Sequence, residues 1–325
     1  MSIHDPLPHH RLSLMSIVEA AGAIDETFLH TAQYESPPLS RTLGCSLLLK
    51  VETSNPIGSF KGRGADYFMR KVVERGETRR LVCASTGNFG QAMAYAGRRH
   101  SRAVIVYADL GANPLKVSRI RELGGEVRLV GEDFDAAKDA AREFCAETGA
   151  WMIEDGREPE ISEGAGTIGV ELAQASELDL ILVPVGNGAL ITGVARWLKA
   201  VMPQVQVVGV SAIEADSMAA SWRGHRVVER RSAATIAEGI AVRRPVPEAV
   251  EDMIPIVDEM ALVTDESMIE AMRVIRDKTG HLVEPSGAVG VAAVLGDPRA
   301  YAGRRVATIL TGNNVTADQV GRWLG

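Results

Sequence analysis

The stretch Ser59-Phe60-Lys61-Gly62-Arg63-Gly64 sets a lysine where it can do chemistry. A turn-rich Ser54-Asn55-Pro56-Ile57-Gly58 and an aromatic residue precede it, and Ala65 to Arg75, a segment able to form a helix, follows. An amine partly shielded by Phe60 and close to a helix start has its charged form disfavoured, which leaves free base able to form a Schiff base. A lone lysine in a loop is ordinarily only a solvated charge. The reading therefore depends on what stands downstream.

Ala84-Ser85-Thr86-Gly87-Asn88-Phe89-Gly90 lies between a strand-like run and a helical one. Small residues, hydroxyls and an amide there expose a concave set of backbone N–H groups suited to an anion such as a carboxylate. Val183-Pro184-Val185-Gly186-Asn187-Gly188-Ala189-Leu190 repeats the arrangement with more glycine. Its exposed N–H groups and helix dipole make a phosphate cradle. A dinucleotide fingerprint does not fit, because Gly186-Asn187-Gly188-Ala189-Leu190-Ile191 lacks the third glycine and the next strand ends near Ser211 without an acid for a ribose. No Gly-Lys-Ser/Thr follows the turn, so it is not a Walker sequence either. Thr311-Gly312-Asn313-Asn314 comes after the last strand. A threonine hydroxyl at that place can hydrogen-bond a heteroaromatic nitrogen but is too weak an acid to protonate it fully. Each stretch by itself has an ordinary structural reading as a turn.

The elements that must position these groups alternate. Strand-like runs are Ser46 to Val51, Leu81 to Ser85, Ala103 to Ala108, Glu126 to Val130, Trp151 to Glu154, Leu180 to Val185, Val205 to Ala212 and Arg305 to Leu310. Helical runs lie between them at Gln91 to Arg99, Leu115 to Leu123, Phe134 to Glu147, Ala189 to Val201, Asp265 to Thr279 and Ser286 to Leu295. That alternation predicts βαβ units and parallel sheets. Leu12 to Ala23 reads as an amphipathic first helix. Asp155-Gly156-Arg157-Glu158-Pro159-Glu160 reads as a polar turn where the chain crosses between lobes.

The 325 residues suffice for two domains, and the net charge of −7 with dispersed basic residues excludes a nucleic-acid surface. A small-molecule partner is expected. The three cysteines Cys45, Cys83 and Cys145 are too scattered for a disulfide framework or zinc site, which fits a reducing cytoplasm. No run is long and apolar enough to span a bilayer. His4, His9 and His10 are expected in a flexible terminus, and the chain is expected to end without a regulatory domain.

A Schiff-base lysine, a phosphate cradle and a hydroxyl for a ring nitrogen are together what pyridoxal 5'-phosphate requires. From about Ser36 to Asn314 the chain resembles the fold-type II pyridoxal-phosphate enzymes, specifically the serine/threonine dehydratase group that includes serine racemase. SFKGRGA, ASTGNFGQA, GAGTIGVE, VPVGNGALITG, TIAEGIAV and VEPSGA stand in that group's order. The resemblance implies a tryptophan synthase β-like α/β fold of two open parallel-sheet lobes with the cofactor in the cleft. Residues 1–53 and 154–325 would form the large cofactor-binding domain and residues 54–153 the small one. Lys61 would hold the cofactor and then remove the α-proton, with Phe60 packed beside the ring. Asn88 would meet the phenolic oxygen; Ser85, Thr86, Gly87 and Asn88 would bind the substrate; Gly186, Asn187, Gly188, Ala189 and Leu190 would hold the phosphate; Thr311 would face the pyridine nitrogen. A cytoplasmic homodimer is implied.

The resemblance also implies a lyase of amino-acid metabolism, an ammonia-lyase of the threonine dehydratase kind. It would eliminate the β-hydroxyl of threonine or serine, with the cofactor phosphate as acid, giving a 2-keto acid and ammonia. Three departures widen the reading. Asn187 and Ala189 replace usual glycines, and Thr311-Gly312-Asn313-Asn314 replaces Ser-Gly-Gly-Asn; both lean toward threonine synthase-like replacement on a phosphorylated substrate. Ser211 stands where metal-dependent relatives place a glutamate, so no metal is expected, although Glu214 and Asp216 are near. Racemisation would need an acid opposite Lys61, a place Ser85 can fill. A catalytically silent amino-acid sensor is the reading from a different class.

Overall fold

The computed structural model describes residues 5–85, 87–175 and 177–325. The chain opens with α1 (Leu14–Ala23), β1 (Gln33–Glu35), α2 (Pro37–Leu43) and β2 (Ser46–Val51). It then alternates through α3 (Lys61–Glu74), β3 (Leu81–Ala84), α4 (Asn88–Arg99), β4 (Val104–Ala108), α5 (Pro114–Glu122), β5 (Glu126–Leu129), α6 (Phe134–Thr148) and β6 (Trp151–Met152). A second run follows: α7 (Pro159–Ala175), β7 (Leu180–Pro184), α8 (Ala189–Val201), β8 (Gln206–Ala212), α9 (Ser217–Gly224), α10 (Pro247–Met253) and β9 (Glu259–Val263). The chain closes with α11 (Asp265–Thr279), α12 (Pro285–Gly296), α13 (Pro298–Tyr301), β10 (Arg305–Leu310) and α14 (Ala317–Leu324).

Two sheets result. The larger has the order β1-β2-β10-β7-β8-β9 and the smaller β5-β4-β3-β6. Every pairing is parallel except that of β1 with β2. The predicted α/β class with parallel sheets is what forms. Strands such as Leu180–Pro184 are buried at every position, as strands covered by helices on both faces must be. The last strand, β10, inserts between β2 and β7, so both ends of the chain build one sheet. Consequently Glu52, Ser85, Val185 and Thr311 follow strand ends that point the same way within each sheet, the place where open parallel sheets bind ligands.

Between the sheets runs α7, which sequence periodicity did not mark because Gly164, Gly166 and Gly169 interrupt it. Those glycines are there for close approach. A Cβ on Gly164 would lie 2.7 Å from the Arg63 carbonyl oxygen of α3, and one on Gly193 of α8 would lie 2.0 Å from the Ser162 carbonyl oxygen. The helix α7 thus packs backbone to backbone on both α3 and α8. A buried ionic cluster fastens the first of these contacts. Arg63 donates to Glu52 (2.8 Å from Nε and from Nη2), to Glu171 of α7 (2.6 Å) and to Thr167 (3.0 Å), while Lys50 of β2 meets Glu171 at 2.5 Å.

The N-terminal stretch is not flexible at His10 and Arg11, contrary to expectation. His10 meets the Asp252 carbonyl oxygen at 3.0 Å, and Arg11 pairs with the Asp252 carboxylate at 2.5 Å. Next to this docked segment, Glu163 accepts from the Ser13 N–H at 2.8 Å, and burial pushes its carboxyl up to about 7. A carboxyl raised in the fold costs nothing below its ordinary value of 4.5; its penalty grows as pH rises from 4.5 to about 7 and is level above that. Glu163→Gln is therefore expected to stabilise the protein by up to about 3 kcal/mol at pH 8 and not at pH 4.5. Thermal melts of both proteins at the two pH values check this.

All three cysteines are free and buried. No helix among the described residues is long and apolar enough to cross a membrane.

Candidate active site

The lysine loop is built by one asparagine. Asn55 accepts from the Ile57 and Ser59 N–H groups and donates to the carbonyls of Glu52 and Ser59, closing residues 52–59 into a compact turn. That turn docks on the segment after β10. The Phe60 N–H donates to the Thr311 carbonyl (3.0 Å), the Asn313 N–H to the Gly58 carbonyl (3.0 Å), and Asn314 Nδ2 to the Ile57 carbonyl (2.9 Å). Gly58 has φ +60°, and a Cβ there would lie 2.4 Å from Asn313 Oδ1, so only glycine fits. Lys61 and Thr311, 250 positions apart, are in this way fixed against each other.

The helix α3 begins at Lys61 itself rather than at Ala65. Lys61 Nζ lies 4.6 Å from the centroid of the Phe60 ring, a cation–π distance, and donates to Asp155 Oδ2 at 2.5 Å. The sequence reading placed this acid in a polar turn. Asp155 comes from the loop between β6 and α7 and reaches Lys61 only through the tertiary fold.

Lys61, Phe60, Ser85, Gly87, Asn88, Asp155, Gly186 to Leu190, Glu284 and Thr311 line one cavity of about 500 Å³. Thr86, the remaining predicted site residue, lies outside the described residues. Helices α3, α4, α8 and α12 all start at this cavity without a capping side chain, and two of them follow a glycine. One is α4, behind Gly87; the other is α8, behind Gly188 with φ +96°. The N–H groups of an uncapped first turn need an acceptor, and the helix dipole favours an anionic one. A Cβ on Gly87 would meet nothing within 4 Å, so its backbone is open to the cavity.

Asn88 is held from both sides. Its Oδ1 accepts from Asn314 Nδ2 at 2.7 Å, and its Nδ2 donates to Glu284 Oε1 at 2.7 Å, which also accepts from Ser286 Oγ at 3.0 Å. Burial raises the Glu284 carboxyl. The motif around Glu284 was visible in the sequence, but its role as the support of Asn88 depends on a contact across 196 positions. Ser85 Oγ accepts from the Gly87 N–H at 3.2 Å and holds the turn before α4. Ser211 is buried, and the Asp216 carboxylate is taken by Arg230 at 2.6 and 2.8 Å.

Two glycine-led, uncapped helix starts, a lysine and a buried threonine on one cavity suit a small molecule with a phosphate, an aldehyde and a ring nitrogen. Pyridoxal phosphate fits that description.

Known proteins agree. The pyridoxal-phosphate dependent enzyme family matches residues 24–312. The L-threonine ammonia-lyase of Thermotoga maritima is 34% identical over 312 residues, which are 96% of this chain and 78% of that one. Among solved structures, the processed threonine deaminase isoform 2 of Solanum lycopersicum superposes with a TM-score of 0.88 at 28% identity, covering 95% of this chain and 90% of that chain. Maize serine racemase gives 0.89 at 27% identity, covering 96% and 97%. The chain is a fold-type II enzyme of the pyridoxal-phosphate-dependent family, with pyridoxal 5'-phosphate as its cofactor.

Proposed function

We propose that the protein is an ammonia-lyase that eliminates the β-hydroxyl of threonine or serine, releasing a 2-keto acid and ammonia. The observation that carries this reading is the juxtaposition of Lys61 with Thr311 on the cavity that α4 and α8 enter uncapped. Likeness to threonine ammonia-lyases over most of the chain supports the choice of substrate.

When bound, pyridoxal phosphate supplies the electron sink that makes the Cα–H of an amino acid acidic. The backbone at Gly186 to Leu190, leading into α8, would hold the phosphate, and the Thr311 hydroxyl would face the ring nitrogen. A threonine hydroxyl, too weak an acid to protonate that nitrogen, would suit the bound cofactor to loss of a β-substituent over transamination. Phe60 packs beside the ring. Asn88, its amide fixed by Asn314 and Glu284, orients the phenolic oxygen. The start of α4, from Ser85 through Gly87, binds the substrate carboxylate. Lys61 Nζ takes the proton from Cα. The β-hydroxyl departs with a proton as water, and the enamine left behind tautomerises and takes up one water to give the keto acid and ammonia. Ser85 is assigned the opposite face, where its hydroxyl can hold a proton if Cα is reprotonated there.

We place residues 1–53 and 154–325 in the cofactor-binding domain and residues 54–153 in the smaller one, in line with the two sheets. Assembly as a cytoplasmic homodimer is proposed on the family likeness.

Visible absorption of the purified protein tests the reading. A band of lysine-bound cofactor is expected to shift on adding threonine or serine, with keto acid released. A shift with phosphohomoserine alone would move the assignment to a synthase, and accumulation of the other enantiomer to a racemase.

A further inference from the structure

Asp155 lines the cavity in contact with Lys61 and has no part in the mechanism above. The residue is 8% exposed. Its Oδ2 meets Lys61 Nζ at 2.5 Å, and its Oδ1 is buried with no hydrogen-bond partner among the described residues. Its position is built rather than accidental. Gly156, at φ +87°, turns the loop so tightly onto the Asn187 carbonyl that a Cβ would lie 2.2 Å from that oxygen. Arg11 then ties the loop down, donating to the carbonyls of Gly156 (3.0 Å) and Arg157.

The cations nearest Asp155 in the chain are engaged elsewhere. Lys138 and Arg142 reach Glu154 at 2.7 and 3.0 Å, and Arg157 pairs with the same carboxylate. Farther along the cavity wall, Lys116 pairs with Glu238, Arg243 with Asp135 and Arg244 with Asp139. Among the described residues, the only ion-pair partner of Asp155 is Lys61.

Lys61 is the group that must approach Cα. An acid in contact with its nitrogen stands within reach of whatever Cα carries at its β-position. Once Lys61 is engaged in chemistry, this buried carboxylate needs another donor, since a buried charge left unpaired is costly. A β-hydroxyl or β-ammonium group donates to it; a phosphate or a second carboxylate is repelled. The contact with Lys61 already shows the nitrogen of a primary amine seated on Asp155.

Resting on the elimination reading, we propose that Asp155 is a specificity-determining residue that reads the β-substituent of the substrate. It selects 2-amino acids bearing a hydrogen-bond donor at the β-carbon, hydroxyl or ammonium, and rejects those bearing an anion.

The test compares the wild-type holoenzyme with Asp155→Asn and Asp155→Glu. Four substrates are used: L-serine, L-2,3-diaminopropionate, β-chloro-L-alanine, which has no donor, and O-phospho-L-serine. The lysine-bound cofactor band is recorded first. Its absence in the wild type would remove the elimination reading itself; its presence isolates the present proposal. In Asp155→Asn, kcat/KM is expected to fall at least 10-fold further for serine and diaminopropionate than for chloroalanine, the loss of one charged hydrogen bond. The dissociation constant of serine, read from the band shift, should rise relative to that of alanine. Asp155→Glu should restore part of the discrimination. Equal losses for serine and chloroalanine would mean that Asp155 acts on Lys61 alone, and unchanged ratios would mean that it does nothing; either overturns the proposal. Should both variants lose the cofactor, the wild type still decides, because tighter binding of phosphoserine than of serine is incompatible with it.

Discussion

Lys61→Ala is expected to lower kcat for threonine or serine on the order of 10⁴-fold, the upper end of what a positioned proton acceptor supplies. The visible band of lysine-bound cofactor should disappear, while Gly186 to Leu190 and Thr311 still hold the cofactor non-covalently. The expectation follows from geometry: Lys61 carries the amine that the Asn55 turn, the Phe60 ring and the Thr311 carbonyl aim into the cavity. Single-turnover keto-acid release and equilibrium dialysis of the cofactor separate the two effects. A variant that turns over at the wild-type rate would end the assignment of Lys61.

Arg63→Leu is expected to destabilise the protein by about 3–5 kcal/mol, because it leaves two buried carboxylates, Glu52 and Glu171, with Lys50 as their only remaining cation in the cluster. Arg63→Lys should recover only part of this, since an ammonium cannot span Glu52, Glu171 and Thr167 as the guanidinium does. The pH dependence has a definite sign. Burial by itself raises the Glu171 carboxyl, but the contacts from Arg63 and Lys50 outweigh it and hold it down at about 2. A depressed carboxyl contributes stability above its ordinary 4.5 and loses it as pH falls toward 2. The gap between wild type and Arg63→Leu should accordingly be full at pH 7 and narrow below pH 4. Urea unfolding at several pH values reads it directly; a gap that stays constant from pH 7 to pH 3 would mean that the ion pairs do not hold the lobes together. The cluster lies two residues from Lys61, so the variant should also raise KM through a displaced first turn of α3.

The legible features of the site are local ones. A glycine-rich turn between an apolar strand and a helix, as at Val183 to Leu190, fixes its chemistry within a few residues, because exposed N–H groups and the helix dipole need no distant partner. The strand-helix alternation was readable for the same reason, and so was the helix Asp265–Thr279, whose N-cap Thr264 and terminal Gly280 stand next to it in sequence. Resemblance across six motifs then joined the turns into one cofactor site.

What the chain could not announce is everything made by residues far apart. Helix α7 hides behind three glycines that weaken a helix on its own, and their purpose is visible only where Arg63 and the α8 backbone press against them. Asp155 reads as a turn residue until β6 and α7 bring it to Lys61, and Glu284 as part of a motif until Asn88 reaches it. Sequence by itself determined which groups are available and the local conformations that present them, since both depend on neighbours in the chain. The tertiary structure decided which acid faces the lysine and which amide is held still, since a 2.5–2.7 Å contact between distant residues is set by how the sheets and α7 pack and leaves no periodic trace in the chain.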